Sequence, residues 1–116
     1  MRYILLIYSR ENDWTGLSQK EKGEMYQQYV AFTESIRKSG HYVAGDGLEP
    51  TSTATTVRVR NGKAVSTDGP FAETREQLGG YYVIQAKDLD EASAIAAQIP
   101  GATTGSIEVR PIMVMP

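Results

Sequence analysis

The sequence predicts an α+β fold of ferredoxin-like plan: a β-α-β half, an inserted hairpin and a second β-α-β half. Together they make one antiparallel sheet with both helices on one face. Three observations predict it. Two helical segments open on capping signatures, at Ser18 and at Asp88. Each is flanked by runs rich in Ile, Val and Tyr that read as strands. Between the halves, Asn61-Gly62 separates two alternating runs, the strongest short-range hairpin signal.

Each element has its own reason. Residues 2–8 are apolar on both faces and read as a central strand. Residues 9–17 are polar with one Trp and read as a loop. Ser18 and Glu21 then have capping-box spacing. Behind them Met25, Tyr29, Phe32 and Ile36 fall within an arc of about 60° at ~100° per residue, one buried stripe. Gly40 suits a left-handed C-terminal cap, so the helix should span about 19–39. Residues 41–44 read as a short strand bent by Gly45-Asp46-Gly47, and residues 50–54 as loop. Residues 56–60 and 63–67 form the hairpin, pairing Arg60 with Lys63, Val59 with Ala64 and Arg58 with Val65. One face then carries Val57, Val59 and Ala64, the other Arg58 and Arg60. Asp68-Gly69-Pro70-Phe71 is turn chemistry, and residues 72–78 suit one or two helical turns. Residues 80–86 are a strand. Asp88 and Glu91 open a second helix over about 89–98 that buries Leu89, Ala92, Ala96 and Ile99. Pro100-Gly101 stops it, and residues 106–110 alternate as the last strand.

Two helices cover one sheet face, yet the strands at 2–8 and 81–84 are apolar on both. The second face needs a cover, and a second copy of the chain is the simplest one. The expected partner is therefore the chain itself, as a homodimer.

Composition narrows the function. The chain has 116 residues, the size of one domain, so 1–116 is read as a single unit. Lys and Arg number 12 against 14 Asp and Glu, a net charge of −2 with no basic tract for nucleic acid or an anionic membrane. There is no cysteine and one histidine, which removes thiolate chemistry, disulfides and sites built on several His ligands of one chain. No apolar run reaches the ~18 residues of a membrane span, and the N-terminal run is too short for a signal peptide. The expectation is a cytoplasmic protein without membrane or nucleic-acid partner. No glycine-rich phosphate loop is present, and no cofactor is implied.

The run from Thr67 to Tyr82, with Asp68-Gly69-Pro70-Phe71 and Glu76-Gln77-Leu78-Gly79-Gly80-Tyr81-Tyr82, resembles the signature of the DGPF group of YCII-related proteins. The resemblance extends to the opening strand, Gly45-Asp46-Gly47-Leu48, residues 54–58 and residues 105–111. It implies a dimeric α+β barrel of ferredoxin-like protomers. It also implies a regulatory setting, since DGPF proteins are often encoded beside extracytoplasmic-function sigma factors. One branch of the wider family uses a His–Asp pair at the first helix for dehydrochlorination. Those positions fall at about Tyr29 and Lys38 here, so that activity is not carried over.

The candidate site residues follow from their chemistry. Asp68 either caps its turn through backbone amides or acts as general acid or base at a pocket mouth. Glu73 is the second acid/base candidate. Asp68, Glu73 and Glu76 put three carboxylates in nine residues, but without the Asp-x-Asp-x-Asp-Gly pattern no metal is assigned. Arg58 is a candidate for binding a carboxylate or pairing with Asp68 or Glu73. His41, Tyr29 and Tyr82 are candidates for orienting a ligand. Gly69, Pro70 and Phe71 are structural, with Phe71 expected to plug the edge of the core. Two functions remain open: a dimeric binder or regulator of a small molecule, and an enzyme on a small aromatic or hydroxylated substrate.

Overall fold

A computed structural model describes residues 1–72 and 74–116. Strand β1 (Arg2–Ser9) lies inside a four-stranded sheet, as its two apolar faces require. A five-residue helix, α1 (Glu11–Thr15), follows, where the sequence reads as loop. It buries nothing and so leaves no apolar period. Its anchor is long-range: the Glu11 carboxylate accepts from the Thr51 amide at 2.7 Å and the Thr51 hydroxyl at 2.8 Å.

Helix α2 (Gln19–Lys38) starts on the predicted capping box, with Ser18 Oγ accepting from the Glu21 amide at 3.1 Å and Glu21 Oε1 from the Ser18 amide at 2.9 Å. It ends with Gly40 at φ +81° and the amide of His41 on the Ile36 carbonyl at 2.9 Å, a Schellman closure. Strand β2 (Tyr42–Gly47) runs on through Gly45-Asp46-Gly47, where a bend was expected. The glycine there permits close packing: a Cβ on Gly45 would lie 2.6 Å from the Tyr82 ring.

Strands β3 (Thr55–Arg60) and β4 (Lys63–Asp68) pair as predicted, Arg60 opposite Lys63 and Arg58 opposite Val65. Asn61 has φ +53° and Gly62 φ +75°, as a type I′ turn requires. A Cβ at Gly62 meets open space, so a substitution there acts through backbone strain alone. Gly62→Val should cost about 1 kcal/mol or more, read as a fall in the urea midpoint at unchanged m.

Strand β5 (Gln77–Gln85) begins earlier than expected and takes in Gln77 and Leu78, whose sequence suits a helical turn. A bulge opposite Ile7 and Tyr8 sits at the Gly79-Gly80 pair, so the glycines accommodate the irregularity. Helix α3 (Leu89–Ala96) is capped by Asp88, whose carboxylate accepts from the Glu91 amide at 2.9 Å. Its buried stripe is Ala92, Ile95 and Ala96, with Ile99 buried just beyond its end, whereas Leu89 is exposed, against expectation. Strand β6 (Ser106–Pro111) closes the chain.

The large sheet is antiparallel throughout, in the order β2-β5-β1-β6, and β3-β4 forms a sheet of its own. One face carries Tyr3, Leu5, Tyr82 and Ile84, and packs against Phe32 and Ile36 of α2 and Ala92, Ile95 and Ala96 of α3. The other face carries Ile4 and Leu6 of β1 beside Val83 of β5 and Ala44 of β2. No helix lies on it among the described residues, and these side chains are only half-buried. The molecule is flat, 48 × 47 × 19 Å. Its radius of gyration, 16.1 Å, exceeds the about 13 Å typical of a chain this long. The hairpin is a sheet of its own and carries Val57 and Val59 into solvent, each more than half exposed.

Candidate functional site

An apolar concavity lies where the two loops after β2 and β4 meet the end of the sheet. Tyr8 and Leu78 are paired across β1 and β5 and point to the face without helices. Against them stand the 48–54 segment, with Leu48 and Pro50, and the 70–78 segment, with Pro70, Phe71 and Ala72. Together they enclose an apolar groove of about 580 Å³, within the range of small-molecule sites.

The Asp68 turn builds one wall, by a route different from the one expected. Gly69 adopts φ +98°, closed to most residues, and its amide donates to the Ala54 carbonyl at 2.8 Å. Its carbonyl accepts from the Thr56 hydroxyl at 2.8 Å. The backbone and Thr56 therefore tie the turn down. The Asp68 carboxylate is exposed and takes no hydrogen bond among the described residues. Among the described residues it caps nothing, and it is not part of the groove lining. Phe71 is 75% exposed and does not plug the core, which corrects the expectation. The turn holds it over the groove, with the Arg58 guanidinium 5.2 Å from its ring. A cation over an aromatic face is attractive, so Arg58 braces the wall.

Arg58 does not pair with Asp68. The register puts Asp68 opposite Thr55, on the hairpin face of Val57 and Val59, and Arg58 on the other face. Glu73 lies outside the described residues. The helical reading of 72–78, which would have put Glu73 and Glu76 on one face, fails because β5 claims Gln77 and Leu78.

The remaining candidates belong to the helix-covered side. Tyr82 is buried, edge-on to Phe32 at 5.1 Å between ring centroids, and its hydroxyl shares a 2.8 Å hydrogen bond with Thr33. Tyr29 accepts from the Gly101 amide at 3.2 Å. Burial pushes both phenols above their ordinary pKa, as neutral hydroxyls in a core require. His41 sits between Ser39, 2.6 Å from Nδ1, and Glu91, 3.3 Å from Nε2. Glu91 also accepts from the Lys87 amide at 3.0 Å, and that bond, ahead of the His41 contact, holds its carboxyl below the usual range. These three residues tie α2 and α3 to the sheet and to each other. None of them lines the groove.

Apart from Pro70 and Phe71, the groove residues named here carry no site signal in the sequence. By pattern Tyr8 belongs to a strand and Leu78 to a helical turn, and Leu48 and Pro50 to a bend and a loop. The usable signal was the density of Pro and Gly at 45–50 and 69–70, two turns that must come together if the sheet closes.

Comparison with known proteins gives three findings. The profile of the YCII-related domain matches residues 1–116. An uncharacterised protein of Rhizobium meliloti (strain 1021) is 37% identical over 114 residues, covering 97% of this chain and 92% of that one. Among solved structures, the fold is similar to that of 5-chloro-2-hydroxyhydroquinone dehydrochlorinase from Burkholderia phenoliruptrix AC1100, determined with 2,5-dihydroxybenzoquinone. The TM-score is 0.55 at 12% identity, over 97% of this chain and 94% of that one.

Proposed function

The chain belongs to the YCII-related domain family, and from that premise we propose that it is a small-molecule-binding protein acting as a homodimer. The single observation that carries the reading is the apolar groove between the 48–54 and 70–78 segments, walled by the Asp68-Gly69-Pro70-Phe71 turn. The strand order and the shared helical face support a ferredoxin-like protomer whose open faces close on each other as an α+β barrel. The groove then opens at the rim of that barrel, because Tyr8 belongs to the same face as Ile4 and Leu6. The turn sequence supports placement in the DGPF group, and with it a regulatory role in a cytoplasmic setting. Membrane and nucleic acid have no part in this reading, and no cofactor does.

A second reading, an enzyme on a small aromatic or hydroxylated substrate with Asp68 or Glu73 as acid or base, draws on the fold shared with a dehydrochlorinase. The exposed Asp68 favours the binder, because a catalytic carboxylate is usually tuned by burial or a charged neighbour.

A metabolite thermal-shift screen tests the reading. A ligand at 100 Kd stabilises by about 2.7 kcal/mol. Phe71→Ala should leave the unliganded melting temperature unchanged and erase the ligand-induced rise. If every ligand found stabilises wild type and Phe71→Ala equally, the site is elsewhere.

A further inference from the structure

Beside the apolar groove lies a second hollow, of about 550 Å³, lined by Arg10, Glu11, Asn12, Thr51, Arg75 and Gln77. The two hollows share Thr51 and Gln77 in their walls, so a polar hollow lies directly beside an apolar one. The charge of the polar hollow is unbalanced. Two guanidiniums face one carboxylate, and that carboxylate is occupied: Glu11 Oε1 accepts from the Thr51 amide and Oε2 from the Thr51 hydroxyl. Among the described residues neither Arg10 nor Arg75 forms an ion pair.

We propose that the two hollows together bind a small carboxylic acid with an apolar body, its carboxylate held by Arg10 and Arg75 and its body laid on Tyr8, Leu78 and Phe71. The inference rests on the groove reading and adds the class of ligand to it. A guanidinium presents paired donors that match a carboxylate, and charged hydrogen bonds of this kind are about twice as strong as neutral ones. The Glu11–Thr51 clamp gives α1 a function: it pins the short helix, and with it Arg10, against the loop that also walls the groove. An alcohol of the same shape would keep the apolar contacts and lose the charged ones. The site therefore discriminates by charge more than by shape.

The test is an amide-resolved NMR titration with a series of arylalkanoates of graded chain length, each paired with its primary alcohol. Acids of the series should shift the amides of Thr51, Gln77 and Leu78, and the matched alcohols should bind about tenfold or more weakly. Arg10→Gln and Arg75→Gln should each weaken the acid about tenfold and leave the alcohol unchanged, at an unaltered melting temperature. Equal binding of acid and alcohol at these amides would overturn the carboxylate assignment and keep the groove. A series that moves none of these amides would overturn the assignment too, while the groove itself stands or falls on the Phe71→Ala melting shift.

Discussion

Leu6→Asp is expected to convert a dimer into a folded monomer. Leu6 stands on the sheet face that no helix covers among the described residues, beside Ile4 of its own strand. Its neighbours across the strands are Tyr81 of β5 and Glu108 of β6. Tyr81 is already committed, donating to Asp46 at 2.9 Å, and that bond raises the pKa of its phenol. Arg110 and Glu108 pair on the opposite flank, 2.5 Å apart. The face is thus an apolar centre between two polar margins, the anatomy of an interface. Two such faces closing on a two-fold axis should bury on the order of 1,200 Å² or more. A carboxylate placed in that centre would be desolvated without a partner, at a cost of several kcal/mol. Each 1.4 kcal/mol is about tenfold in Kd, so dissociation should be complete at micromolar concentration. In the monomer the same carboxylate faces water, so far-UV circular dichroism should be retained. Sedimentation velocity on both proteins decides it, and a wild-type monomer at micromolar concentration would sink the dimer altogether.

Leu5→Ala should be among the most damaging truncations in the protomer, at about 2–5 kcal/mol. Leu5 has 0% exposure. It is held on β1 between Tyr82 of β5 and Val109 of β6, under the helices. Truncation leaves a cavity that two flanking strands and two helices cannot collapse into without breaking register. Against a total stability of about 5–15 kcal/mol, the loss should lower the urea midpoint by a large fraction. Phe71→Ala is the control, since it removes a larger side chain that is 75% exposed. It should be nearly neutral, and equal losses for the two would contradict the burial that separates them.

Local signals carried over well into the structure. The capping residues of both helices, the left-handed Gly40, the Asn61-Gly62 turn and the hairpin register depend on atoms a few residues apart. The chemistry of the short segment decides each of them. The same holds for the stripe through Phe32 and Ile36, because helical periodicity is a local property. Two of the readings that failed depended on a distant partner. Helix α1 exists by virtue of Glu11 reaching Thr51, forty residues on, which no spacing rule shows. Gly45-Asp46-Gly47 has the composition of a bend, yet it pairs with Gly80, Tyr81 and Tyr82 as strand, because the Tyr82 ring needs the room a missing Cβ leaves.

Phe71 is the sharpest case. As the lone large apolar side chain between Val65 and Leu78 it had every reason in sequence to be buried. Hydrophobicity states only that a side chain gains by leaving water. It does not state which surface receives it. By itself, then, the sequence determined the two long helices and their caps, the core strands, the hairpin and the surplus of apolar strand faces over helices to cover them. Only the tertiary structure decided that the Gly69 turn leaves Phe71 exposed in one groove with Tyr8 and Leu78, and that Arg10 and Arg75 line one hollow beside it. Those juxtapositions are set by the sheet bringing residues 8, 50, 71 and 78 to one end, an arrangement stabilised by the whole core and encoded at no single position.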